Sequence, residues 1–365
     1  MRKILSGLAI AGLALSLAAC GSGDENTGVK ANMGVTVGIA MPTKTSPRWL
    51  ADGANMQTQF KAMGYQVELT YGDDDVPKQI SQIKSMIAKG EKLLVIGAID
   101  GVALKDVLAD AAKAKIPVIS YDRLIMESPN VSYYASFDND RVGQLQAQLL
   151  VDRLKLSKGA AGPFTIEFFA GSKDDNNASY FFNGAMKVLQ KYLDDGKLVV
   201  KSGVTQYDKT TTQQWDGKRA QTRMNTILKT YYKTERLDAV LSPYDGMSRG
   251  IITALRANGY TKATMPVISG QDAEVDSVKA IIQGTQAGTV YKDTRELAKV
   301  TVQMGNAILT GAPPIVNDTT SYNNKVKDIP SYLLTPVAVD KDNYKMLLIN
   351  GGYYKASQLK ASAAS

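Results

Sequence analysis

From Val35 onward, short apolar or β-branched runs alternate with longer segments in which apolar residues recur at helical spacing. This alternation is typical of βαβ units, in which successive strands run parallel and helices cover the sheet between them. In the first half of the chain it predicts strands at 35–41, 66–71, 93–96 and 117–120 and helices at 48–63, 76–89 and 102–113.

A second series of the same kind follows. It predicts strands at 164–169, 198–201, 239–241, 267–269 and 288–291 and helices at 141–154, 178–192, 220–232, 248–257 and 275–283. Together these strands exceed the number that one sheet usually contains. We therefore predict an α/β protein with two doubly wound parallel-sheet lobes, and a ligand in the crevice at the carboxyl ends of their strands.

The first residues have the pattern of an export signal. Arg2 and Lys3 precede an apolar run at 4–17, and Leu-Ala-Ala-Cys ends at Cys20. The apolar run is too short to span a membrane, and a positive start with small residues before a cleavage point is typical of signal peptides. The last four residues resemble the bacterial lipobox, which implies cleavage before Cys20 and attachment of diacylglycerol to its thiol. A plain secretory signal is the alternative.

Composition narrows the functional classes. Cys20 is the only cysteine and there is no histidine, so no disulfide can form within the chain. The formal net charge of +8 includes Arg2 and Lys3 and is spread along the chain, which does not indicate a nucleic-acid partner. Neither zinc-ligand spacing nor a phosphate-binding loop occurs, so we expect no metal and no cofactor. Three consecutive acids, Asp73 to Asp75, are interpreted as the start of a helix.

Polar and aromatic residues follow the predicted strand ends in both halves. They are Lys44, Arg48, Trp49, Asp122, Arg123, Asn176, Asn177, Asp245, Asp272 and Lys292. Side chains at the carboxyl ends of parallel strands are expected to converge on a ligand. Trp215 joins them because it lies in a polar stretch at 210–216. The alternatives are core packing for Trp49 and an ordinary loop ion pair for Asp122 and Arg123.

This mixture of carboxylates, cations, amides and indoles suits an uncharged sugar. A hydroxyl both donates and accepts hydrogen bonds, so carboxylates can take its proton while Arg, Lys and Asn donate to its oxygen. The C–H faces of a pyranose can pack on an indole ring. We therefore predict a monosaccharide ligand.

Seven ordered motifs between Val35 and Tyr354 resemble those of the multiple-sugar-binding receptors of ABC importers. They are AMPTKTSPRW at 40–49, YDRLI at 121–125, SFDN at 136–139, DDNNA at 174–178, LSPYDG at 241–246, SGQDA at 269–273 and VYKDT at 290–294. The resemblance implies a type I periplasmic-binding-protein fold whose two lobes are joined by a three-segment hinge.

The resemblance also implies roles for individual residues. By motif position, the hydrogen-bonding residues are Lys44, Arg48, Asp122, Arg123, Asn177, Asp245, Asp272 and Lys292, with Asn176 as a neighbouring candidate. Trp49 and Trp215 would cover the faces of the sugar. Tyr244 stands where the xylose-binding branch has an asparagine, which points to the branch of broader specificity.

The expected organisation follows from the signal and the motifs. It is a signal peptide at 1–19, a lipidated flexible tether at 20–34, an N-terminal lobe at 35–137 plus 292–325, and a C-terminal lobe at 138–291 plus 326–365. We expect an extracytoplasmic monomer, anchored to the membrane through Cys20, that captures a galactose-, glucose-, xylose- or arabinose-type sugar. Its expected partners are the permease subunits of an ABC importer.

Three other functional classes share parts of this pattern. A chemoreceptor or sensor kinase would recognise the same closed form, and the sequence leaves that alternative open. A sugar-processing enzyme would need Asp122 and Asp272 as a carboxylate pair, but Arg123 and Lys292 would keep both ionised, whereas a general acid needs a raised pKa. A sugar-responsive repressor begins with a DNA-binding segment, and here the export signal takes that place.

Overall fold

The computed structural model describes residues 32–360, so the predicted signal and Cys20 lie outside the described residues. The strands are β1 (Thr36–Met41), β2 (Gln66–Tyr71), β3 (Leu93–Ile96), β4 (Val118–Tyr121), β5 (Tyr133–Phe137), β6 (Phe164–Phe168), β7 (Leu198–Val199), β8 (Ala239–Leu241), β9 (Val267–Ile268), β10 (Gly288–Tyr291), β11 (Ser331–Leu334) and β12 (Val337–Asp340). The helices are α1 (Pro47–Ala62), α2 (Val76–Lys89), α3 (Lys105–Lys113), α4 (Asn139–Arg153), α5 (Asn177–Asp194), α6 (Tyr207–Thr210), α7 (Gly217–Tyr231), α8 (Asp245–Ala257), α9 (Val275–Gln283) and α10 (Thr294–Thr310).

Two separate parallel sheets form the cores of two lobes. The first has six strands in the order β11-β5-β4-β3-β1-β2, and the second has four in the order β7-β6-β8-β9. Strands β10 and β12 pair antiparallel beside the second sheet. The predicted fold class, two doubly wound parallel-sheet lobes, is confirmed.

Helices cover both faces of the first sheet. In β3, Leu94 and Ile96 pack into one apolar cluster with α2 and α3, while Leu93 and Val95 pack into the other with α1 and α10. Successive strand residues point to opposite faces, so a strand covered on both sides must be apolar throughout. This explains the continuous run at 93–96.

The chain passes between the lobes three times, after β5, between β10 and α10, and between β11 and β12. Leu150 of α4 packs with Ile166 in the second lobe, whereas Leu297 of α10 packs with Phe60 in the first. Strand β11 pairs parallel with β5 and lies in the first sheet, although residues 326–365 were expected in the second lobe. The sequence pattern predicted neither β5 nor β11, and β11 needs the edge that β5 supplies. The other lobe boundaries stay predictions.

Local side-chain chemistry sets two helix starts. Asp75 caps α2 by accepting a hydrogen bond from the amide of Lys78 at 2.9 Å, as the acidic run predicted. Helix α3 begins at Lys105 rather than at residue 102. Asp100 accepts hydrogen bonds from the amides of Val102 and Ala103 and holds them in a turn. None of the helices within 32–360 combines the length and apolarity that a bilayer crossing requires.

Candidate ligand-binding site

The carboxyl ends of both sheets face a cavity of about 560 Å³ between the lobes. Eight predicted residues line it: Arg48, Trp49, Asp122, Arg123, Asn177, Trp215, Asp272 and Lys292. They follow different strands, β1 and β4 in the first lobe and β6, β9 and β10 in the second, with Trp215 just before α7. The predicted convergence at strand ends therefore occurs.

Four buried charges of alternating sign lie together in the lining of this cavity. Arg48 Nη1 lies 2.9 Å from Asp122 Oδ2 and 3.8 Å from Asp272 Oδ1. Lys292 Nζ lies 3.3 Å from Asp272 Oδ1 and 3.7 Å from Asp122 Oδ2. All four side chains are at least nine-tenths buried. We call Arg48, Asp122, Asp272 and Lys292 the charge cluster; with two cations and two carboxylates it is close to neutral.

The charge cluster keeps its carboxylate in the first lobe ionised. Burial alone acts to raise the pKa of Asp122, but the charges of Arg48, Lys292 and Arg123 outweigh burial and lower it. Asp122 and Arg48 can therefore serve as permanent acceptor and donor at neutral pH. A group that must release a proton during a reaction would need the opposite shift, so this environment favours binding over acid catalysis.

Aromatic rings form the side walls. Trp49 is 5% exposed and lies under two guanidinium groups, with its ring centroid 4.6 Å from Arg48 Cζ and 5.3 Å from Arg123 Cζ. Trp215 is half-buried and packs edge-on against Phe181 and Tyr244, at centroid distances of 6.1 and 6.3 Å. A Cβ at Gly171 would collide with the indole of Trp215, so this backbone and the ring lie in direct contact.

Strained backbone concentrates around the cavity. Asp122, Gln214, Trp215 and Asp272 all have positive φ, at 58°, 56°, 55° and 87°, and all four line the cavity. Such conformations cost about 1–3 kcal/mol each in non-glycine residues and are found where a site needs them. At Asp122 the strain is held by hydrogen bonds: its amide donates to Ala135 O, and its carbonyl accepts from Ser136 Oγ and Asn177 Nδ2.

Several buried polar atoms around the cavity lack a hydrogen-bond partner within the described residues. They are Ser46 Oγ, Arg48 Nη2, Trp215 Nε1 and Gln271 Oε1. Buried polar groups are rarely left without a partner, because an unmade hydrogen bond costs about 1–3 kcal/mol. Donors and acceptors are both present, which suits a ligand whose groups do both.

Polar contacts connect the lobes across the cavity. Arg123 Nε lies 3.0 Å from Asp175 Oδ2. Asn177 donates from Nδ2 to the carbonyl of Asp122 at 2.9 Å, and its Oδ1 accepts from Tyr134 and Asn139. These contacts hold the lobes close together, so the described arrangement is a closed one.

Three of the predicted residues do not line the cavity. Lys44 is exposed, with its ammonium 5.4 Å from the ring centroid of Tyr71. Asn176 directly precedes α5, and its carbonyl accepts a hydrogen bond from Ser179 Oγ.

Asp245, the third, is fully buried at the start of α8. It accepts hydrogen bonds from Gln286 Nε2 and from the amide of Glu274, each at 2.9 Å. Burial raises its pKa well above the usual value. Its carboxylate therefore holds the loop that carries Asp272 instead of facing the cavity.

Two residues that were not predicted also line the cavity, and helical spacing could have indicated them. Phe181 lies four residues after Asn177 on α5 and lines the cavity beside it. Arg249 lies four residues after Asp245 on α8 and is 2.6 Å from Glu274 through its Nη1. Residues four apart on a helix share a face. Among residues 32–360, no group of three or more acidic, histidine or cysteine side chains is arranged to hold a metal ion.

The chain is similar to known proteins over most of its length. Residues 37–313 match the family model described as a periplasmic binding protein domain. The multiple sugar-binding periplasmic receptor ChvE of Rhizobium radiobacter is 58% identical over 89% of this chain and 92% of its own. The D-xylose-binding periplasmic protein of Escherichia coli K12 is 35% identical over the same shares of the two chains.

A solved structure agrees with these relatives. An ABC transporter solute-binding protein from Clostridium phytofermentans, with bound β-D-glucose, is 48% identical and superposes with a TM-score of 0.86, covering 89% of this chain and all of that one. The resemblance found in the seven motifs is confirmed, and so is the prediction of a binding protein that is not an enzyme. This chain belongs to the periplasmic binding protein family, together with the multiple sugar-binding receptors.

Proposed function

We propose that this chain binds a monosaccharide between its lobes and delivers it to an ABC importer. The observation that carries the proposal is the charge cluster in a cavity that Trp49 and Trp215 also line, together with buried donors and acceptors on cavity-lining residues that have no partner within the described residues. The names of the relatives point to glucose- and xylose-type sugars as first candidates.

The cavity offers each part of a pyranose a chemical match. The carboxylates of Asp122 and Asp272 would accept hydrogen bonds from hydroxyl groups, and Arg48 Nη2 and Lys292 would donate to oxygens. Charged partners roughly double the strength of such hydrogen bonds. The indoles would cover C–H faces, adding apolar contact without adding charge.

Ligand contacts from both lobes would favour closure. Arg48 and Asp122 belong to the first lobe and Asp272 to the second, so a sugar bound to all three is held fully only when the lobes are together. A ligand shifts a conformational equilibrium by its difference in affinity for the two states. The closed, sugar-loaded form is the form that we propose the permease recognises.

We also propose that Cys20 carries a lipid that anchors the protein, on its extracytoplasmic side, to a cell membrane. The lipobox-like sequence and the polar tether at 20–34 support this proposal. Replacement Cys20→Ala should move the protein from the membrane fraction to the soluble fraction of the producing cells. Mass spectrometry of the wild-type N-terminal peptide should find a diacylglycerol adduct, and an unmodified thiol would contradict the anchor.

Calorimetry tests the binding proposal. The chain from residue 21 onward is titrated with D-glucose, D-galactose, D-xylose and L-arabinose, and with sucrose as a larger, two-ring control. We expect saturable binding of at least one monosaccharide and recovery of that sugar unchanged. Absence of binding for all four monosaccharides would show that the proposed ligand class is wrong.

A further inference from the structure

A second buried carboxylate lies directly behind the charge cluster. Asp52 of α1 is fully buried, one helical turn after Arg48. Its Oδ2 accepts a hydrogen bond from Arg48 Nε at 2.9 Å. Its Oδ1 accepts one from the hydroxyl of Tyr121, which is also fully buried, at 2.5 Å. Asp52 does not line the cavity and therefore touches no ligand there.

These contacts fix the orientation of a ligand-facing group. The guanidinium is planar, so holding two of its edges determines where the third points. Asp52 holds Nε, and Asp122 holds Nη1 at 2.9 Å. Nη2 is the remaining nitrogen, and it has no partner within the described residues.

We propose that Asp52 is a positioning residue for sugar binding, whose carboxylate turns Nη2 of Arg48 toward the ligand, so that protonation of Asp52 weakens the affinity. The inference rests on the proposed function and deepens it. Protonated Asp52 would offer Arg48 one neutral oxygen in place of a charge, and the buried guanidinium would lose one of the three carboxylates that lie within 4 Å of it.

The surroundings of Asp52 place this protonation near neutral pH. Burial raises the pKa of Asp52 to about 6, against the lowering effects of Arg48 and the Tyr121 hydroxyl. The charged or titratable groups that face Asp52 are Arg48 on α1, Tyr71 on β2, Tyr121 on β4, Asp122 after β4 and Tyr353 near the C-terminal end.

Those neighbours do not titrate in the same range. The pKa values of the three tyrosines are raised by burial, and that of Asp122 is lowered by the cations around it. The chain contains no histidine. Asp175, which also lines the cavity, has a pKa raised by burial, so a variant of Asp52 itself is needed to assign the effect.

The sign of the effect follows from the two ionisation states. Above about pH 7, Asp52 is ionised and holds Arg48. As the pH falls through about 6, Asp52 of the sugar-free protein takes up a proton, whereas Asp52 of the sugar complex does not. If the complex stays ionised, affinity falls about tenfold for each pH unit below that pKa. We therefore expect wild-type affinity for D-glucose to fall about tenfold between roughly pH 7.5 and pH 5.

Two variants and one matched control test this in calorimetric titrations with D-glucose over that range. Asp52→Asn should bind about tenfold more weakly at the upper end and should lose most of the slope, since it cannot ionise. Tyr121→Phe removes a hydrogen bond that favours the ionised form, so its affinity should begin to fall at a higher pH than in the wild type. Glu167→Gln should keep the wild-type slope, because Glu167 is likewise a buried carboxylate bonded to a tyrosine, Tyr232, but does not line the cavity.

Each outcome bears on the inference separately from the proposed function. Wild-type slope and affinity in Asp52→Asn would overturn the role of Asp52 while leaving sugar binding established. Should Asp52→Asn fail to fold, as judged by circular dichroism, an unmoved profile in Tyr121→Phe overturns it instead. Absence of binding by the wild type to any of the four monosaccharides would remove the proposed function and this inference together.

Discussion

The two walls of the cavity are built in different ways. The first-lobe wall places Arg48 on α1 and Asp122 directly after β4 of the six-stranded sheet. Asp52, itself bonded by Tyr121, holds Arg48 from behind. The second-lobe wall presents Trp215 with a positive φ at the end of a short 3₁₀ turn, and its indole is held by contacts with the rings of Phe181 and Tyr244 and with the backbone of Gly171. The comparison teaches that Arg48 in the first lobe is fixed by buried carboxylates, whereas the indole of Trp215 in the second lobe is positioned mainly by aromatic packing.

Asp122→Ala should have the largest effect on sugar affinity, because Asp122 lies between both cations of the charge cluster. It leaves Arg48 and Lys292 buried with one carboxylate fewer between them. Removing one partner of a buried ion pair typically costs about 3–5 kcal/mol, and we expect a loss of sugar affinity in that range by calorimetry. Asp138→Ala, which removes only the cap of α4, is the control and should leave the affinity unchanged. Wild-type affinity in Asp122→Ala would show that this wall does not bind the sugar.

Trp49→Ala should affect stability as well as binding. This indole is 5% exposed and belongs to the apolar cluster of the first lobe. Large-to-small changes of a core aromatic cost about 3–5 kcal/mol of unfolding free energy. Thermal unfolding of the ligand-free variant should therefore begin well below that of the wild type. An unchanged Tm would mean that Trp49 contributes to ligand binding only, and that the first-lobe wall is less rigid than its packing indicates.

Trp215→Ala should weaken binding by less, about 1–3 kcal/mol for lost apolar contact. Because Trp215 is half-buried and rests on Phe181 and Tyr244, its removal should change the Tm of the ligand-free protein only slightly. Trp215→Phe is the control that keeps a ring in place. A large fall in Tm together with unchanged affinity would reverse the contrast between the two walls.

Glu91→Gln should give the smallest effect, since Glu91 lies away from both walls. Burial and the neighbouring Glu68 raise its pKa to about 8. Because the pKa of Glu91 is higher in the folded than in the unfolded chain, its contribution to the free energy of unfolding is fully present below the unfolded-chain pKa. This contribution is lost as the pH rises through about 8. The wild-type Tm should thus fall between roughly pH 5 and pH 8.5, and Glu91→Gln should raise Tm by about 2–4 °C at the upper end.

The exposed pair of Lys201 and Glu235 supplies the control for that measurement. Glu235→Gln should leave the pH dependence of Tm as it is in the wild type, because exposed ion pairs contribute little. If Glu91→Gln shows the wild-type dependence as well, Glu91 does not carry the slope.

The sequence predicted the parts of the molecule that local pattern determines. The run at 93–96 and the acidic cap at Asp75 were both found as expected. Strand β11 was missed because its pairing depends on β5, almost 200 residues earlier in the chain.

The site was predictable to a similar degree. Most strand-end residues do line the cavity, because parallel topology forces their convergence. Asp245 does not, since the side chain of a residue that begins a helix points in a direction set by the following turn and its partners. Asp52 carries no signal of its own; only its spacing of four residues from Arg48 connects it to the site.

Lys292 occupies a position whose mechanical meaning differs from that of the other cavity residues. It lies between the end of β10 and the start of α10, within one of the three segments that connect the lobes. A sugar bound by its ammonium would contact the connecting segment directly. The same few backbone bonds would then both hold the ligand and rotate when the lobes open. We therefore expect substitution of Lys292 to change both the affinity for the sugar and the rate at which the lobes open.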